Sequence, residues 1–196
     1  MPFSNIKPEI RILAWDDGPF EHRSKGTVPM IGTVYRGGKL LDGILKIDVE
    51  IDGTDAEAKI ISATNHTKHH GQVRVMMLDG ITFGGFNTVN IKNISEKTGV
   101  PVIVVLRTKP DFKNFKSAMA KLPHAERRLA CVEAAGPVYY VDVGKGRIAF
   151  QIAGMEKDGA ASIIRTSTVL GNVPEPLRAA HLIATGIVRG ESIGRA

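Results

Sequence analysis

The chain has 196 residues, of which 43% are apolar and 23% charged, and its formal net charge is +6. Because this length and composition fit one unit with a sizeable core, we expect residues 1–196 to form a single domain. A single cysteine, Cys131, excludes an internal disulfide and a thiolate zinc cluster. No apolar stretch reaches membrane-spanning length, and residues 1–9 lack the apolar segment of a secretory signal, which predicts a cytoplasmic protein. The positive charge favours a polyanionic partner, although a solvated basic surface accounts for it equally well.

The first part of the chain predicts three strands joined by turns. Residues 10–15 and 30–35 are largely apolar runs, and the Arg-Gly-Gly-Lys sequence of residues 36–39 is typical of a hairpin turn. Residues 40–51 follow as a third strand, in which apolar and polar side chains alternate from Ile44 onward. Since alternation indicates one buried and one solvent face, we expect this strand to lie toward an edge of the sheet.

Helices and strands alternate in the middle of the chain. Residues 54–57 have the capping-box spacing that begins a helix, and an apolar strand follows at residues 73–78. A second helix is predicted at residues 88–98, ending at Gly99, and a further strand at residues 101–106. Because helical crossovers join parallel neighbours and hairpins join antiparallel ones, we expect a mixed sheet with the first and fourth strands adjacent at its centre.

The last part of the chain predicts mainly helices. Residues 112–122 and 125–134 have helical patterns, and a glycine-containing hairpin follows at residues 143–146. Two more helices are expected at residues 160–170 and 175–184. The sequence contains neither a P-loop nor a strand-linked Gly-x-Gly-x-x-Gly motif, which argues against nucleotide-cofactor chemistry.

Two of the predicted strands end in an aspartate followed by a glycine turn. Asp16 and Asp17 precede Gly18 after the first strand, and Asp79 precedes Gly80 after the fourth. If these strands are neighbours, Asp16 and Asp79 share one rim of the sheet, where paired carboxylates attract a hard divalent cation. Ordinary turn chemistry is the alternative, because Asp-Gly is a favoured turn pair. Asp17 should point to the opposite face and cap the turn through local hydrogen bonds.

A third acid near the start of the first helix would complete a metal site. The choices are Asp52, Asp55 and Glu57. Glu57 most simply closes the capping box with Thr54, and Asp52 most simply makes an Asp-Gly turn, which leaves Asp55 as first choice. A carboxylate in the first helical turn is also favoured by the helix dipole, so a purely structural role for Asp55 stays open.

The histidines at residues 66–70 and the single cysteine are weaker candidates for a functional site. His66, His69 and His70 form a cluster that lacks the further ligands of a zinc site, and a polar helix end or exposed loop beside Gly71 is the better interpretation. Cys131 lies between apolar residues, where a cysteine more often belongs to the core than acts as a nucleophile.

These elements and motifs resemble a known family of nucleases. Three antiparallel strands, then helix, strand, helix and strand, are similar to the ribonuclease H-like fold, and segments between residues 10 and 184 resemble endonuclease V. Residues 14–18 match its first-strand Asp-Val-Gly, residues 78–80 its Val-Asp-Gly, and residues 172–181 its Leu-Pro-Glu-Pro-Thr-Arg. Residues 16–20 and 78–87 resemble more closely an archaeal branch, endonuclease dU, which is associated with cleavage of deoxyuridine-containing DNA.

The resemblance implies an α/β fold with a mixed five-stranded sheet, three antiparallel strands and then two parallel ones, flanked by helices. The chain departs from endonuclease V at several points. Residues 51–55 occupy the place of its Tyr-Ile-Pro-Gly wedge, its helix-borne glutamate is here Asp55, and no histidine follows the second Asp-Gly pair. Arg107 stands where endonuclease V has a functional lysine, and its planar guanidinium can still contact a phosphate.

The predicted activity is metal-dependent cleavage of DNA, or of RNA. Asp16 and Asp79, helped by Asp55 and by Asp52, would hold one or two Mg²⁺ or Mn²⁺ ions, and Arg107 would offset charge on the phosphate. Two further groups of residues complete this hypothesis. They are the auxiliary metal or water-orienting residues His181 and Asp158, and the nucleic-acid-binding stretch with Gly80, Phe83, Gly84, Gly85 and Phe86.

Two alternatives accompany this prediction. In the nucleic-acid-binding stretch, the two phenylalanines could simply cover the core. At the level of function, the chain could be a nucleic-acid-binding protein that kept the fold and lost turnover, since it is positively charged and its acid set departs from that of endonuclease V.

Overall fold

The first three strands form an antiparallel meander, as predicted. The computed structural model describes residues 6–21, 24–106, 112–144 and 146–192. Strand β1 (Arg11–Asp17) pairs with β2 (Thr27–Arg36), which pairs with β3 (Leu40–Glu50) across the expected hairpin turn. β3 lies at one edge of the sheet, and its alternating residues Leu45, Ile47 and Val49 pack on the core. The prediction of an edge strand with one buried face is therefore confirmed.

Helical crossovers then add two parallel strands beside β1. Helix α1 (Ala56–His66) leads to β4 (Val75–Asp79), which pairs parallel with β1. A small ribbon of β5 (Thr82–Phe83) and β6 (Asn87–Thr88) follows it. Helix α2 (Ile91–Thr98) ends at Gly99 as predicted and leads to β7 (Val102–Leu106), parallel to β4. The first and fourth strands are therefore neighbours within the sheet, as the crossover rule requires.

The sheet has more strands than the five expected. After helices α3 (Phe112–Met119) and α4 (Ala125–Ala134), β8 (Tyr139–Val143) and β9 (Gly146–Ala153) form the predicted hairpin. β9 then pairs antiparallel with β7, so the described residues form a seven-stranded sheet in the order β3-β2-β1-β4-β7-β9-β8. The expected count was wrong because Ile148 and Phe150 of β9 are buried, and pairing with β7 places them in the core.

Helices cover both faces of the central strands. One core cluster joins Leu13 and Trp15 of β1 to α1, α2 and α4, and the other joins Ile12 and Ala14 to helices α5 (Lys157–Ser167) and α6 (Glu175–Arg189). This division follows from the strand period, because successive side chains point to opposite faces. Within the described ranges, no helix has the length and apolar character needed to cross a bilayer.

The capping box predicted at the start of α1 does not form. The N-cap residue is Asp55, without a side-chain cap bond. Glu57 instead accepts hydrogen bonds from the Asn90 backbone N–H at 2.7 Å and from Asn93 Nδ2 at 2.5 Å. Those two bonds tie the first turn of α1 to the first turn of α2, so a tertiary contact replaces the local one.

The Pro-Glu-Pro segment fixes where α6 begins. Thr33 of β2 donates its hydroxyl to the Pro176 carbonyl at 2.7 Å inside the core. Glu175 is buried and accepts from the Leu170 N–H at 3.0 Å and from Arg178 Nε at 2.7 Å. The Thr33 bond holds the first turn of α6 against β2, and the Glu175 bonds close that turn, so the helix packs across β2 and β1.

Candidate metal centre

Asp16 and Asp79 lie at the carboxyl ends of two adjacent parallel strands. Trp15 and Leu78 are register partners, so each aspartate is the next residue along its own strand. Ala14 and Met77, two residues earlier, both point into the core cluster that α6 covers, and the strand period carries each aspartate to that same face. The structure thus places both carboxylates at one rim of the sheet, on the side occupied by α6.

His181 of α6 orients the carboxylate of Asp16. Its Nδ1 lies 2.9 Å from Asp16 Oδ2, and Asp16 Oδ1 accepts from the Asp17 backbone N–H at 2.9 Å. Since a carboxylate accepts, Nδ1 carries the proton in this contact. The His181 side chain is 28% exposed, whereas that of Asp16 is 7% exposed. The auxiliary residue proposed from the resemblance is therefore beside Asp16.

Asp17 has a long-range partner that the sequence did not reveal. The prediction of purely local hydrogen bonds was incomplete, because Asp17 Oδ2 also accepts from the Gly84 N–H at 2.9 Å, across 67 residues. Burial raises the pKa of Asp17 to about 6, and the Gly84 hydrogen bond only partly opposes that effect. The negative charge of Asp79 raises this pKa further and His181 lowers it, so these groups share one electrostatic environment. The only sequence signal was a second acid at the end of a buried strand.

The partners of Asp55 lie at the end of β3, on α1 and on β6, and not at the rim with Asp16 and Asp79. Its carboxylate pairs with Lys59 Nζ at 2.6 Å and accepts from Asn87 Nδ2 at 2.6 Å and from the Glu50 N–H at 3.1 Å. Partial burial acts to raise the pKa of Asp55, but these three donors together lower it. The side chain therefore holds the turn between β3 and α1.

Asp52 fastens the neighbouring loop. It is exposed and adopts a left-handed φ of 53°, and its Oδ1 accepts from the Phe86 N–H at 2.9 Å. Asp52 N–H in turn donates to the Gly84 carbonyl at 2.8 Å. This pair of bonds joins the turn after β3 to the loop after β4.

The remaining predicted residues fall elsewhere. Asp158 is exposed on α5 and lines a cavity with Tyr139 and Tyr140 of β8, four strands further along the sheet than β1. Arg107 lies outside the described residues. Among the residues that are described, no group of three or more His, Cys, Asp or Glu side chains is arranged to hold a metal ion. The structure thus places Asp16 and Asp79 on adjacent strand ends and His181 beside Asp16, and it engages Asp52, Asp55 and Asp158 elsewhere.

The glycine-rich loop after β4 runs beside this rim. Gly80, Gly84 and Gly85 all have positive φ, which a side chain would strain. Phe83 is fully buried in the core, which is the alternative foreseen for it. Phe86 is partly buried and packs its ring 5.9 Å from that of Phe115.

A different aromatic side chain is exposed at this loop. Phe20, in the segment after β1, is 38% exposed, and its ring lies 3.6 Å from the position that a Cβ on Gly85 would take. Sequence reasoning singled out Phe83 and Phe86 because they follow the Asp-Gly pair. Phe20 carried a similar signal, since it comes three residues after Asp17 in the Gly-Pro-Phe segment.

The buried Arg128 of α4 binds the glycine-rich loop after β4, and the sequence analysis did not single out this residue. The guanidinium donates to the Phe86 carbonyl, to the Asp52 carbonyl at 2.6 Å and, through Nε, to the Pro123 carbonyl at 3.0 Å. Burial lowers the pKa of Arg128, and the nearby charge of Asp52 partly offsets this effect. One buried cation thus fixes both turns that flank the candidate site.

The histidine cluster and the cysteine have the structural roles expected of them. His66 Nδ1 lies 2.7 Å from the Ser62 carbonyl at the end of α1, and His70 Nε2 lies 3.0 Å from the Thr98 carbonyl. These contacts are typical of a polar helix end. Cys131 is a free, buried thiol within α4.

The strand order and the flanking helices define an endonuclease V-like fold. Endonuclease V from Ciona intestinalis, solved in complex with a 24mer DNA containing an inosine followed by a ribo-adenosine, has the same fold, with a TM-score of 0.56 at 11% identity. The match covers 87% of this chain and 82% of that chain. The chain belongs to the endonuclease dU family, whose model matches residues 8–188.

Relatives with higher identity match nearly the whole chain and confirm the resemblance inferred from its motifs. A curated relative from Methanothermobacter thermautotrophicus, named UPF0215 protein, is 49% identical over 195 residues, covering 99% of this chain and 95% of the relative. A crystal structure of a protein of unknown function from Archaeoglobus fulgidus has a TM-score of 0.83 at 39% identity. That match covers 92% of this chain and 99% of the other.

Proposed function

We propose that this protein is a divalent-metal-dependent endonuclease that hydrolyses phosphodiester bonds in deaminated, deoxyuridine-containing DNA. The observation that carries the proposal is the placement of Asp16 and Asp79 on adjacent strand ends, with His181 hydrogen-bonded to Asp16. Membership of the endonuclease dU family and the DNA complex of a protein with the same fold support nucleic acid as the substrate.

The chemistry of the donors at this rim fits Mg²⁺ or Mn²⁺. Both ions favour carboxylate oxygen, and Mg²⁺ is commonly held by one or two carboxylates, with waters and substrate phosphates as its remaining ligands. Asp16 and Asp79 would hold the ion, and a fuller set of protein ligands is not needed for that type of site. When bound, the ion would polarise the phosphate and lower the pKa of a water.

His181 would position the attacking water. With Nδ1–H donated to Asp16, Nε2 of the neutral imidazole carries the lone pair, and within the described part of the chain Nε2 has no hydrogen-bond partner. An imidazole whose tautomer is fixed by a carboxylate can accept a hydrogen bond, and then a proton, from water. Asp16 would therefore act both as a ligand and as the group that orients His181.

Other residues would bind the nucleic acid. Gly80 has a positive φ and open space where a Cβ would stand, so its backbone allows close approach of a strand, whereas Gly84 and Gly85 pack against the protein itself. The exposed ring of Phe20 offers a face on which an unpaired base can stack. By its resemblance to the lysine of endonuclease V, Arg107 would contact a phosphate oxygen.

The test is cleavage of labelled oligonucleotides that contain deoxyuridine, inosine or no lesion, and of RNA, with Mg²⁺, with Mn²⁺ and with a chelator. Asp16→Asn and Asp79→Asn should each lower the cleavage rate by about 10³-fold or more, because loss of a metal ligand removes the ion's contribution. Asp142→Asn is the matched control, since Asp142 is an acid with 89% of its side chain exposed on β8. Undiminished cleavage by both variants would exclude this mechanism.

One observation favours the alternative function, a nucleic-acid-binding protein without turnover. The described residues hold no complete metal-ligand cluster, and Asp55 is engaged by Lys59, Asn87 and the Glu50 backbone. Such a protein would bind DNA in a salt-sensitive but metal-independent way. Absence of strand cleavage with either ion on every substrate would establish this alternative.

A further inference from the structure

Two arginines share one carboxylate oxygen at the end of the sheet opposite Asp16. Arg11, the first residue of β1, is the cross-strand partner of Arg36 on β2. Asp42 Oδ2 accepts from Arg36 Nε at 2.6 Å and from Arg11 Nε at 3.2 Å. The Asp42 side chain is only 14% exposed. This pair of arginines and its carboxylate is called the Asp42 cradle below.

The geometry leaves the terminal guanidinium nitrogens of both arginines available. Each arginine uses Nε for Asp42, and none of the described residues accepts from their terminal nitrogens. The Arg11 and Arg36 side chains are 26% and 39% exposed. The hydrogen bond from Arg36 lowers the pKa of Asp42, so the acid stays ionised at neutral pH and keeps orienting both groups. The Asp42 cradle therefore retains one net positive charge and two oriented donor edges.

A cavity of about 330 Å³ opens on the cradle, and Lys68, His69 and Gln72 also line it. A second cavity of about 450 Å³ shares Arg11 and Gln72 with the first and adds Lys7, Arg74 and Glu9. Together the two cavities gather five cationic side chains and two acids, Glu9 and Asp42. Clefts of this size commonly bind small ligands, and the excess of cationic side chains around these two favours an anion.

We propose that the Asp42 cradle binds a phosphate group, either as a free or mononucleotide phosphate or as a backbone phosphate of a nucleic acid. The planar guanidinium edge matches two phosphate oxygens at once, which an ammonium group cannot do. Arg11 and Asp16 are five residues apart on β1, which is roughly 17 Å along a strand. The ligand is therefore distinct from a phosphate at Asp16, and this site does not depend on cleavage.

The test separates the cradle's geometry from its charge. Binding of inorganic phosphate, of deoxyuridine monophosphate and of a short single-stranded DNA is measured by calorimetry at fixed ionic strength. Arg11→Lys and Arg36→Lys keep the charge but lose the planar edge, and should weaken binding by about tenfold or more. Asp42→Asn should also weaken binding, because the arginines lose their orientation. Arg147→Lys, at an exposed arginine on β9, should bind like the wild type.

Several outcomes would overturn the proposal: saturable binding of none of the three probes, equal binding by Arg11→Lys and wild type, or tighter binding by Asp42→Asn. The last two are what a non-specific positive surface would give. A different outcome would support the proposal: the wild-type protein binds the DNA but neither inorganic phosphate nor deoxyuridine monophosphate, and Arg11→Lys weakens the DNA binding. That result would assign the ligand as a backbone phosphate. If a variant unfolds, the Nε–H signals of Arg11 and Arg36 in wild-type protein provide the second measurement, since phosphate should shift them more than chloride does.

Discussion

Replacement of Asp17 by asparagine should stabilise the protein at neutral pH. The carboxyl of Asp17 is largely removed from solvent, and its pKa of about 6 in the folded protein lies above the ordinary value of 3.8. Asparagine resembles the protonated acid, has nearly the same volume, and keeps an oxygen that can accept from the Gly84 N–H. The variant therefore removes the cost of ionising a buried carboxyl and retains the tertiary hydrogen bond.

The size and sign of the effect follow from this shift. A group whose pKa is raised by folding contributes stability that is fully present below pH 3.8 and is lost as the pH rises through about 6. The difference between 3.8 and about 6 corresponds to about 3 kcal/mol in the free energy of unfolding. Asp17→Asn should thus match the wild type near pH 3.5 and exceed its stability by up to that amount at pH 8.

Urea denaturation of both proteins from pH 3.5 to 8, with a chelator present, measures this difference. Asp55→Asn is the control of opposite sign, because Lys59, Asn87 and the Glu50 N–H lower the pKa of Asp55 despite its partial burial. Its stabilising contribution is present above pH 3.8 and is lost as the pH falls through the lowered pKa, so Asp55→Asn should be less stable than wild type at pH 7. A stability difference for Asp17→Asn that is independent of pH would refute the reasoning.

Three other substitutions test the packing that positions the site. Gly32→Ala would place a Cβ 2.9 Å from the buried ring of Trp15, and thermal unfolding should show a loss of about 1 to 3 kcal/mol. Gly186→Ala, at a position of α6 with nothing within 4 Å, should instead gain about 0.5 to 1 kcal/mol in the same assay, and a loss there would contradict the open space. Arg128→Ala removes the donor to three backbone carbonyls and should cost about 3 kcal/mol or more in urea denaturation, with faster proteolysis of the loop after β4. Unchanged proteolysis would mean that Arg128 does not hold this loop.

Local sequence patterns predicted most of the elements. The bounds of α4 agree with residues 125–134, and the turn between β2 and β3 and the end of α2 at Gly99 lie where glycine indicated them. These features depend on side-chain periodicity and on turn residues, which act over a few positions of the chain. The sequence did not predict that β8 and β9 extend the sheet beyond β7. A hairpin has the same local pattern whether or not it pairs with a further strand.

The sequence predicted only part of the candidate site, because local patterns do not show which distant residues meet. Asp16 and Asp79 could be inferred because each follows a buried apolar run, and the crossover rule makes their strands neighbours. Nothing local distinguishes the acids that hold turns, Asp52 and Asp55, from acids that face the rim. Arg128 gave no signal at all, since a buried arginine on an amphipathic helix looks like a surface cation in the sequence.

The sequence by itself determined the order of strands and helices and the rim to which two carboxylates must come, because both follow from interactions between near neighbours and from strand handedness. Only the tertiary structure decided which other groups meet them there. The His181–Asp16 contact joins residues 165 positions apart, and Asp17 meets Gly84 across 67. Such contacts depend on how α6 and the glycine loop dock, and that docking includes buried hydrogen bonds, such as the one between Thr33 and Pro176, that no periodic pattern of side chains indicates.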